Sequence, residues 1–303
     1  MILQFGVEFQ EFYELIISAW AITFSKQQST LDLHPQWFAK NIAKLPSNIL
    51  PILNNIRRLD GALWYALLLN SPVWSAKEFL DWLPTLSDEE LFEMVYSFNP
   101  KAPSKTAKTL LKDCQTVHKG LSAWYQTYFS QMDTEKIQVL EDSVEQGQSQ
   151  AAQYENRPQD LIRELTQSII WEADGVTEIT LIPHLHLSPW SLYEFGADHG
   201  VIFYPYKNQF DLHRTLKAVA DESRMEILRY TASEVKSFTE LVDLTGLAKS
   251  TVHHHIITLR AAGLLWLHVT DDRSARFSVR WDGIRQLSPA LEESLQEYTA
   301  ESD

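Results

Sequence analysis

Apolar residues recur at three- and four-residue spacing over the first half of the chain, up to about Glu145, and prolines and serines interrupt the pattern. Such spacing is typical of consecutive amphipathic helices, and the first of them is expected over residues 1–25. A capping box begins at Ser87, and Asp133 precedes a further helical stretch that is expected to end near Leu140. The first half is therefore predicted to be a succession of helices.

The pattern changes in the middle of the chain. Residues 145–158 are rich in Gln, Ser, Ala, Glu and Asn, a composition that fits either a solvated helix end or a linker. A helix is expected over 158–171. Alternating, β-branched segments near 176–184 and 201–206 then predict two strands joined by a long loop over 185–200. A helical N-terminal domain thus ends in a short sheet.

Aromatic residues are frequent in this part of the chain, which contains Trp190, Tyr193 and Phe195 close to the predicted strands. Together with the strands, these side chains offer apolar surface that could line a pocket for a small molecule. Ordinary core packing explains the same spacing. Both interpretations stay open at the level of sequence.

The C-terminal hundred residues carry a more specific signal. Asp221 can cap a helix, and a capping box over 237–240 begins a short helix that ends at Gly246. A further helix is predicted over 249–262 and ends at Gly263. Two helices joined by a tight turn that contains glycine form a helix-turn-helix, in which the second helix enters the major groove of DNA.

Projecting this second helix at ~100° per residue separates two faces. Apolar side chains suited to packing fall on one face, at Ala248, Val252, Ile256 and Leu259. Mostly polar and cationic side chains fall on the other face, at Lys249, Ser250, His253, His254, Ile257 and Arg260. Base edges are read by hydrogen-bonding groups of this kind.

A β-hairpin is predicted directly after Gly263, with strands over 264–270 and 275–280 and a polar turn over 271–274. One face of the second strand carries Ala275, Phe277 and Val279. The other face carries Arg276, Ser278 and Arg280. A hairpin after the recognition helix is the wing of a winged helix-turn-helix.

The stretch 216–228, followed by 247–255 and 259–264, resembles the ArsR type of winged helix regulators in a long form with a large N-terminal domain. The resemblance covers about the last third of the chain. It implies contacts with double-stranded DNA by a set of residues on the recognition helix: Lys249, Ser250, Thr251, His253 and His254. It also implies contacts by Arg273 and Arg276 in the wing and a structural role for His255.

The resemblance further implies a homodimer built from helices near 212–220 and 287–298, bound to a palindromic operator. The family's metal sites are missing from the sequence. The C-terminal domain has no cysteine, and the last helix has no histidine. Metal sensing is therefore not expected.

The net charge of the whole chain argues against binding to nucleic acid, because the formal net charge of the 303 residues is −14 and repels a polyanion. The negative charge is unevenly distributed: the net charge of residues 1–206 is −11, and that of residues 207–303 is −3. Between Lys249 and Arg280 the net charge is +3. The cations are gathered on the predicted reading surface, as phosphate contacts require.

Other chemistry finds little support. Consecutive histidines at 253–255 point ~100° apart on a helix and cannot share a metal ion. His184 and His186 would lie on one face of a strand, and alternation on a half-exposed strand explains them as well as a metal does. A single cysteine, Cys114, fits a reducing compartment. No motif for catalysis or for a cofactor is present.

The sequence therefore predicts a mainly α protein with small β elements (α+β), with a helical domain over 1–206 and a winged helix over 207–303. It is expected to be soluble and cytoplasmic, without a membrane partner. Its predicted function is sequence-specific regulation of transcription, as a repressor and without enzymatic activity. Two alternatives stay open: a small-molecule receptor, and a protein-interaction protein whose winged helix does not bind DNA directly.

Overall fold

The computed structural model describes residues 3–59, 61–98, 106–154, 157–207 and 209–300, with side chains except at 25–27 and 297–300. The chain forms two compact units. The N-terminal unit comprises Met1–Pro158 and Gly175–Tyr206. The C-terminal unit comprises Gln159–Asp174 and Lys207–Asp303.

Helices dominate the described residues, and two small sheets accompany them, which confirms the α+β class. The helices are α1 (Glu11–Ala21), α2 (Pro35–Lys44), α3 (Ile49–Ile56), α4 (Gly61–Asn70), α5 (Ala76–Trp82), α6 (Asp88–Phe98), α7 (Ala107–Thr127), α8 (Thr134–Gln153), α9 (Pro158–Thr166), α10 (Leu212–Val219), α11 (Glu222–Ser233), α12 (Phe238–Thr245), α13 (Lys249–Ala261), α14 (Trp281–Arg285) and α15 (Leu287–Ala300). The strands are β1 (Gln4–Val7), β2 (Ile169–Glu172), β3 (Glu178–His184), β4 (Leu192–Phe195), β5 (His199–Pro205), β6 (Lys236–Ser237), β7 (Leu265–Thr270) and β8 (Arg276–Val279).

The sheet of the N-terminal unit has the strand order β1-β3-β5-β4. The expected strands near 176–184 and 201–206 correspond to β3 and β5, which pair in parallel and are almost entirely buried. Strand β4 lies inside the stretch predicted as a loop and pairs antiparallel with β5. Because both faces of β3 and β5 are buried, the alternation in the sequence does not mark a solvent-exposed face on either strand.

The beginning of the chain differs from the helix expected over 1–25. Strand β1 pairs in parallel with β3, from Gln4 opposite Glu178 to Val7 opposite Leu181, and helix α1 begins only at Glu11. The partner strand lies far along the chain. Because a pairing of that kind leaves no local periodicity, the helical pattern of the following residues hid the strand.

The helices of the N-terminal unit begin where the sequence places their caps. Ser87 Oγ accepts a hydrogen bond from the backbone N–H of Glu90 at 3.2 Å, and Asp133 accepts one from that of Glu135 at 3.0 Å. Helix α8 runs on past Leu140 to Gln153. Residues 145–158 are expected to form either a solvated helix end or a linker, and the helix end is confirmed as far as Gln153.

A single large apolar core holds these helices together. The fully buried side chains Phe12, Ile16, Leu53 and Trp124 come from α1, α3 and α7, and the ring of Phe12 stacks on Phe79 of α5 at 4.2 Å between centroids. Burial of aromatic side chains contributes strongly to core stability because each removes a large apolar area from water. The many aromatic residues of the chain are mainly used in this way.

The sheet of the C-terminal unit has the order β2-β7-β8-β6, in which β7 and β8 form the predicted hairpin. Strand β2 pairs in parallel with β7, from Ile169 opposite Leu267 to Glu172 opposite Thr270. The helix expected over 158–171 is therefore wrong in its second half, since α9 ends at Thr166.

Strand β2 also explains how the chain divides. Ile169 and Trp171 are buried, and they alternate with the more exposed Ile170 and Glu172, as expected of a strand that covers a core on one face. Residues 159–174, which the sequence places in the N-terminal domain, consequently group with the C-terminal unit. Among the described residues, no helix combines the length and the hydropathy needed to cross a bilayer.

Candidate nucleic-acid interface

Helices α12 and α13 are joined by a turn whose geometry depends on glycine. Ser237 and Glu240 form the predicted capping box at the start of α12, with the Ser237 N–H bonded to Glu240 Oε2 at 2.8 Å. Helix α12 ends at Gly246, where φ is +65°, in the left-handed region that glycine adopts without strain. This conformation turns the chain sharply, and α13 begins three residues later at Lys249.

Helix α13 has one buried and one exposed face. Val252, Ile256 and Leu259 are buried as predicted, and so is His255. Ala248, which the projection assigns to the packing face, is exposed at the N-cap of the helix. The packing face therefore begins one turn later than the projection indicates.

The predicted DNA-facing residues of α13 differ in exposure. Four of them are exposed and lie in the first two turns: Lys249, Ser250, His253 and His254. Thr251 is half-buried, and Arg260 is half-buried in the last turn. The ring of His253 lies edge-on to Phe238 of α12, at 6.4 Å between centroids. This contact orients an exposed imidazole without burying it.

The wing hairpin carries a compact hydrogen-bonded turn. Asp272 accepts hydrogen bonds from the hydroxyls of Thr270 and Ser274 and from the Ser274 N–H at 2.9 Å. These bonds hold the pKa of Asp272 well below its usual range. The neighbouring Arg273 has φ of +57°, which places its exposed side chain at the tip of the turn. The turn thus presents one arginine from a fixed backbone.

The second arginine of the wing is held by its own turn. The Arg276 guanidinium donates to Asp272 at 3.2 Å and to Ser274 Oγ at 3.2 Å, while 45% of its side chain stays exposed. An exposed ion pair of this kind contributes little to stability. It orients the guanidinium and offsets part of its charge, and both effects bear on what Arg276 can offer to a phosphate.

Arg280 corrects the predicted reading surface. The sequence places it on the outward face of the second wing strand, but only 8% of the residue is exposed. Its guanidinium donates to the Gly263 carbonyl at 3.2 Å and to Gln167 Oε1 at 3.0 Å, and it lies over the ring of Trp266. Burial lowers its pKa. Arg280 therefore braces the turn after α13 and is not one of the surface cations.

Two buried histidines support the interface from inside. His255 is buried, as the resemblance implies, and burial lowers its pKa. His268 of β7, which sequence reasoning overlooked, contacts Glu172 of β2 at 2.9 Å and Ser278 of β8 at 2.8 Å. Its only sequence signal is a polar residue inside an apolar strand. It connects the three strands that form the base of the wing.

The histidine pair of the N-terminal unit is also more structural than expected. His184 and His186 are both buried, so alternation on a half-exposed strand is the wrong explanation. His186 Nδ1 bonds to the buried Glu14 carboxyl group, and its Nε2 lies 2.6 Å from Tyr128 Oη. Among the described residues, no group of three His, Cys, Asp or Glu side chains is arranged to hold a metal ion.

The arrangement of α11, α12, α13 and the β7–β8 hairpin defines a winged helix-turn-helix domain. In this class the exposed face of the second helix of the motif lies in a DNA groove and the hairpin lies beside it.

Comparison with known proteins agrees with this assignment. A helix-turn-helix domain family matches residues 219–267. The uncharacterized HTH-type transcriptional regulator YceK of Bacillus subtilis (strain 168) is 35% identical over 81 residues, which are 26% of this chain and 80% of that protein. No solved structure matches the chain. The chain belongs to the family of HTH-type transcriptional regulators.

Proposed function

We propose that the C-terminal unit binds double-stranded DNA in a sequence-specific way, with α13 in the major groove. The observation that carries the proposal is the division of α13, whose first two turns expose hydrogen-bonding side chains while the opposite face is buried. Lys249 is suited to phosphate, and Ser250, His253 and His254 are suited to base edges. Thr251 and Arg260, both half-buried, would contact the sugar-phosphate backbone of the DNA at the borders of the major groove.

The wing supplies the second contact. Arg273 at the tip and Arg276 on β8 are exposed cations that can reach phosphate or the adjacent minor groove. Because Asp272 binds the Arg276 guanidinium, part of the charge of Arg276 is proposed to be offset before it meets a phosphate. Neither arginine is expected to select a sequence.

A homodimer on a palindromic operator is the proposed assembly. Leu216 of α10 and Leu291 and Leu295 of α15 are exposed to 39%, 41% and 62%, and α10 packs against α15 within the unit. Exposed leucines on two neighbouring helices favour association with a second copy. Two recognition helices would then lie ~34 Å apart, one turn of DNA.

Repression is the proposed outcome. A dimer that occupies about two turns of DNA within a promoter excludes polymerase from the same duplex. A small-molecule effector of the N-terminal unit would modulate this occupancy, and a pocket in that unit supports such a ligand.

Selecting the fragments of genomic DNA that the protein binds tests the proposal. The same experiment identifies the operator sequence. We expect His253→Ala to change the preference between the selected site and its single-base variants by about 1–3 kcal/mol, the value of one base contact. Lys249→Ala should weaken binding to all of these duplexes alike. Fluorescence anisotropy with labelled duplexes measures both effects. If no DNA sequence is enriched, and if the protein instead captures a protein partner in a way that depends on Lys249 and Arg273, the winged helix is a protein-interaction module.

A further inference from the structure

The N-terminal unit contains a pocket with a volume of about 320 Å³. It lies between α4 and the strands β4 and β5, and it is lined largely by aromatic side chains: Trp20, Phe24, Trp64, Tyr65, Tyr193 and Phe203. Of the three aromatic residues that the sequence offered for a pocket, only Tyr193 is among the lining residues. The Trp190 indole donates to the Thr30 carbonyl at 3.0 Å, and Phe195 is buried.

Two charged side chains line the same pocket, and they differ in how the protein engages them. Glu194 Oε1 accepts a hydrogen bond from the Phe195 N–H at 3.2 Å. Its other oxygen lies against Gly61, so closely that a Cβ there would be 2.2 Å from it. Arg57, by contrast, lies over the Phe24 ring at 4.6 Å and, within the described residues, has no carboxylate in ion-pairing distance. Arg57 is therefore the charged side chain of the lining that has no ion-pair partner among the described residues, while the Glu194 carboxylate keeps its charge and accepts a hydrogen bond from the backbone of β4.

Three residues of the lining also have a buried polar atom without a hydrogen-bond partner among the described residues. These atoms are Trp20 Nε1, Arg57 Nε and Tyr65 Oη. Buried polar groups are nearly always hydrogen-bonded in proteins, because leaving one unpaired is costly. All three groups are hydrogen-bond donors. Their presence in one lining indicates a ligand that brings acceptor atoms.

We propose that this pocket binds a small planar aromatic carboxylate. The aromatic walls suit a flat ring, and the carboxylate would pair with Arg57 and accept hydrogen bonds from the unpartnered donors. A cationic ligand is disfavoured by Arg57, since Glu194 is already bound to the backbone of its own strand. A pocket of this volume is at the small end of ligand sites, which limits the ligand to one or two rings.

This site deepens the effector part of the proposed function by naming the class of ligand, and its test is separate from DNA binding because it needs no DNA. Titration calorimetry on the full chain can use two matched pairs of probes, benzoate with benzamide and indole-3-acetate with indole-3-acetamide. The members of each pair have the same ring system, and the amide replaces the charged carboxylate by a neutral group with one acceptor oxygen. We expect each acid to bind roughly ten- to hundredfold more tightly than its amide, as for a hydrogen bond to a charged group.

Arg57→Gln removes the charge and keeps a polar side chain of similar length. We expect it to abolish the preference for the acid, whereas the same change at the exposed neighbour Arg58, which is not part of the lining, should preserve it. Equal binding of acid and amide by the unmodified protein, or equal effects of the two variants, would overturn the proposal. The absence of heat with all four probes would overturn it as well.

Leu192→Trp is a second variant that does not depend on Arg57. Leu192 is on the edge strand β4 and is half-buried, so a larger side chain can fill the pocket without entering the core. We expect loss of binding of acids and amides alike, with an unchanged far-UV circular dichroism spectrum. Unchanged affinity in Leu192→Trp would place the ligand elsewhere and contradict the proposal. Anisotropy on DNA with the same preparations reports separately on the regulator function.

Discussion

The N-terminal unit buries a cluster of hydrogen-bonded polar side chains, whereas the recognition helix of the C-terminal unit exposes its polar side chains. Glu14, His184 and His186 are almost completely inside, where each is bonded to the protein, whereas Lys249 and His253 lie on the surface of a helix. Buried groups of this kind can act only on the fold or on a small molecule. Exposed ones can meet a macromolecule. The contrast agrees with the two proposals, recognition of DNA by the C-terminal unit and binding of a small ligand by the N-terminal unit.

The contrast is tested most strongly by removing the buried carboxyl group of Glu14. Its oxygens accept hydrogen bonds from the Leu185 and His186 backbone N–H groups at 3.1 Å each and from the His186 ring. We expect Glu14→Ala to lower the free energy of unfolding by about 3–5 kcal/mol, because three buried donors lose their acceptor. Urea unfolding followed by tryptophan fluorescence measures the effect, since seven of the ten tryptophans belong to this unit.

Glu145→Ala is the matched control, because Glu145 is exposed on α8. It should change the free energy of unfolding by no more than about 0.5 kcal/mol. A similar loss in both variants would mean that the buried carboxyl group has no special role, and the comparison between the units would then fail.

The second prediction concerns the loss of stability of the folded chain at low pH. The pKa of His184 is lowered to about 4, mainly by burial and also by the nearby His186, while Glu14 and the hydrogen bond to the Trp190 carbonyl oppose the shift. Between pH ~6.5 and ~4 the unfolded chain therefore takes up a proton that the folded chain refuses. Stability should fall as the pH falls through this window, by about 3 kcal/mol at most from this group.

His184→Gln removes this titration while keeping a polar side chain that can donate to the Trp190 carbonyl, as Nε2 does at 2.9 Å. We expect the loss of stability between pH 7 and pH 5 to shrink in the variant, whatever its stability at pH 7. Urea midpoints at the two pH values measure it. An unchanged pH dependence would show that the pKa of His184 does not differ between the folded and the unfolded chain.

The smallest expected effect concerns the turn before the recognition helix. A Cβ at Gly246 would meet nothing within 4 Å, so Gly246→Ala costs only backbone strain at φ of +65°, about 1 kcal/mol. Gly6→Ala is its control in the other unit, because that position is equally open and has no positive φ. Thermal unfolding of both variants should show a loss only at Gly246. Equal effects would mean that the turn does not require glycine.

Sequence signals were sufficient where structure is specified locally. The capping box at Ser237, the glycines at 246 and 263 and the alternation in the hairpin all lie within a few residues of what they specify. Strands β1 and β2 were missed because each is defined by a partner far along the chain. The same reason applies to side chains, since nothing near Arg280 in the sequence indicates that Gln167 and Gly263 will enclose it.

The candidate site residues also divide into those that local sequence predicts and those that depend on distant segments. The exposed positions on α13 could be projected from helical geometry alone, and four of them are exposed in the structure. The pocket of the N-terminal unit could not be projected, because Trp20, Arg57 and Glu194 come together only through the packing of distant segments. One pattern shared by both units is a polar residue within an apolar run, as at Glu14 and His268. That pattern marks buried hydrogen-bond networks.

The salt dependence of DNA binding tests the central claim most directly. With Arg280 buried, the cations proposed to contact phosphate in each protomer are Lys249, Arg260, Arg273 and Arg276, and Arg276 also donates to Asp272. Three to four phosphates neutralised by each protomer of a dimer predict a slope of log affinity against log salt of roughly −5 to −7 on the selected operator. Arg273→Ala should make the slope shallower by about 2 in the dimer. A slope near zero, or one that Arg273→Ala leaves unchanged, would contradict the account.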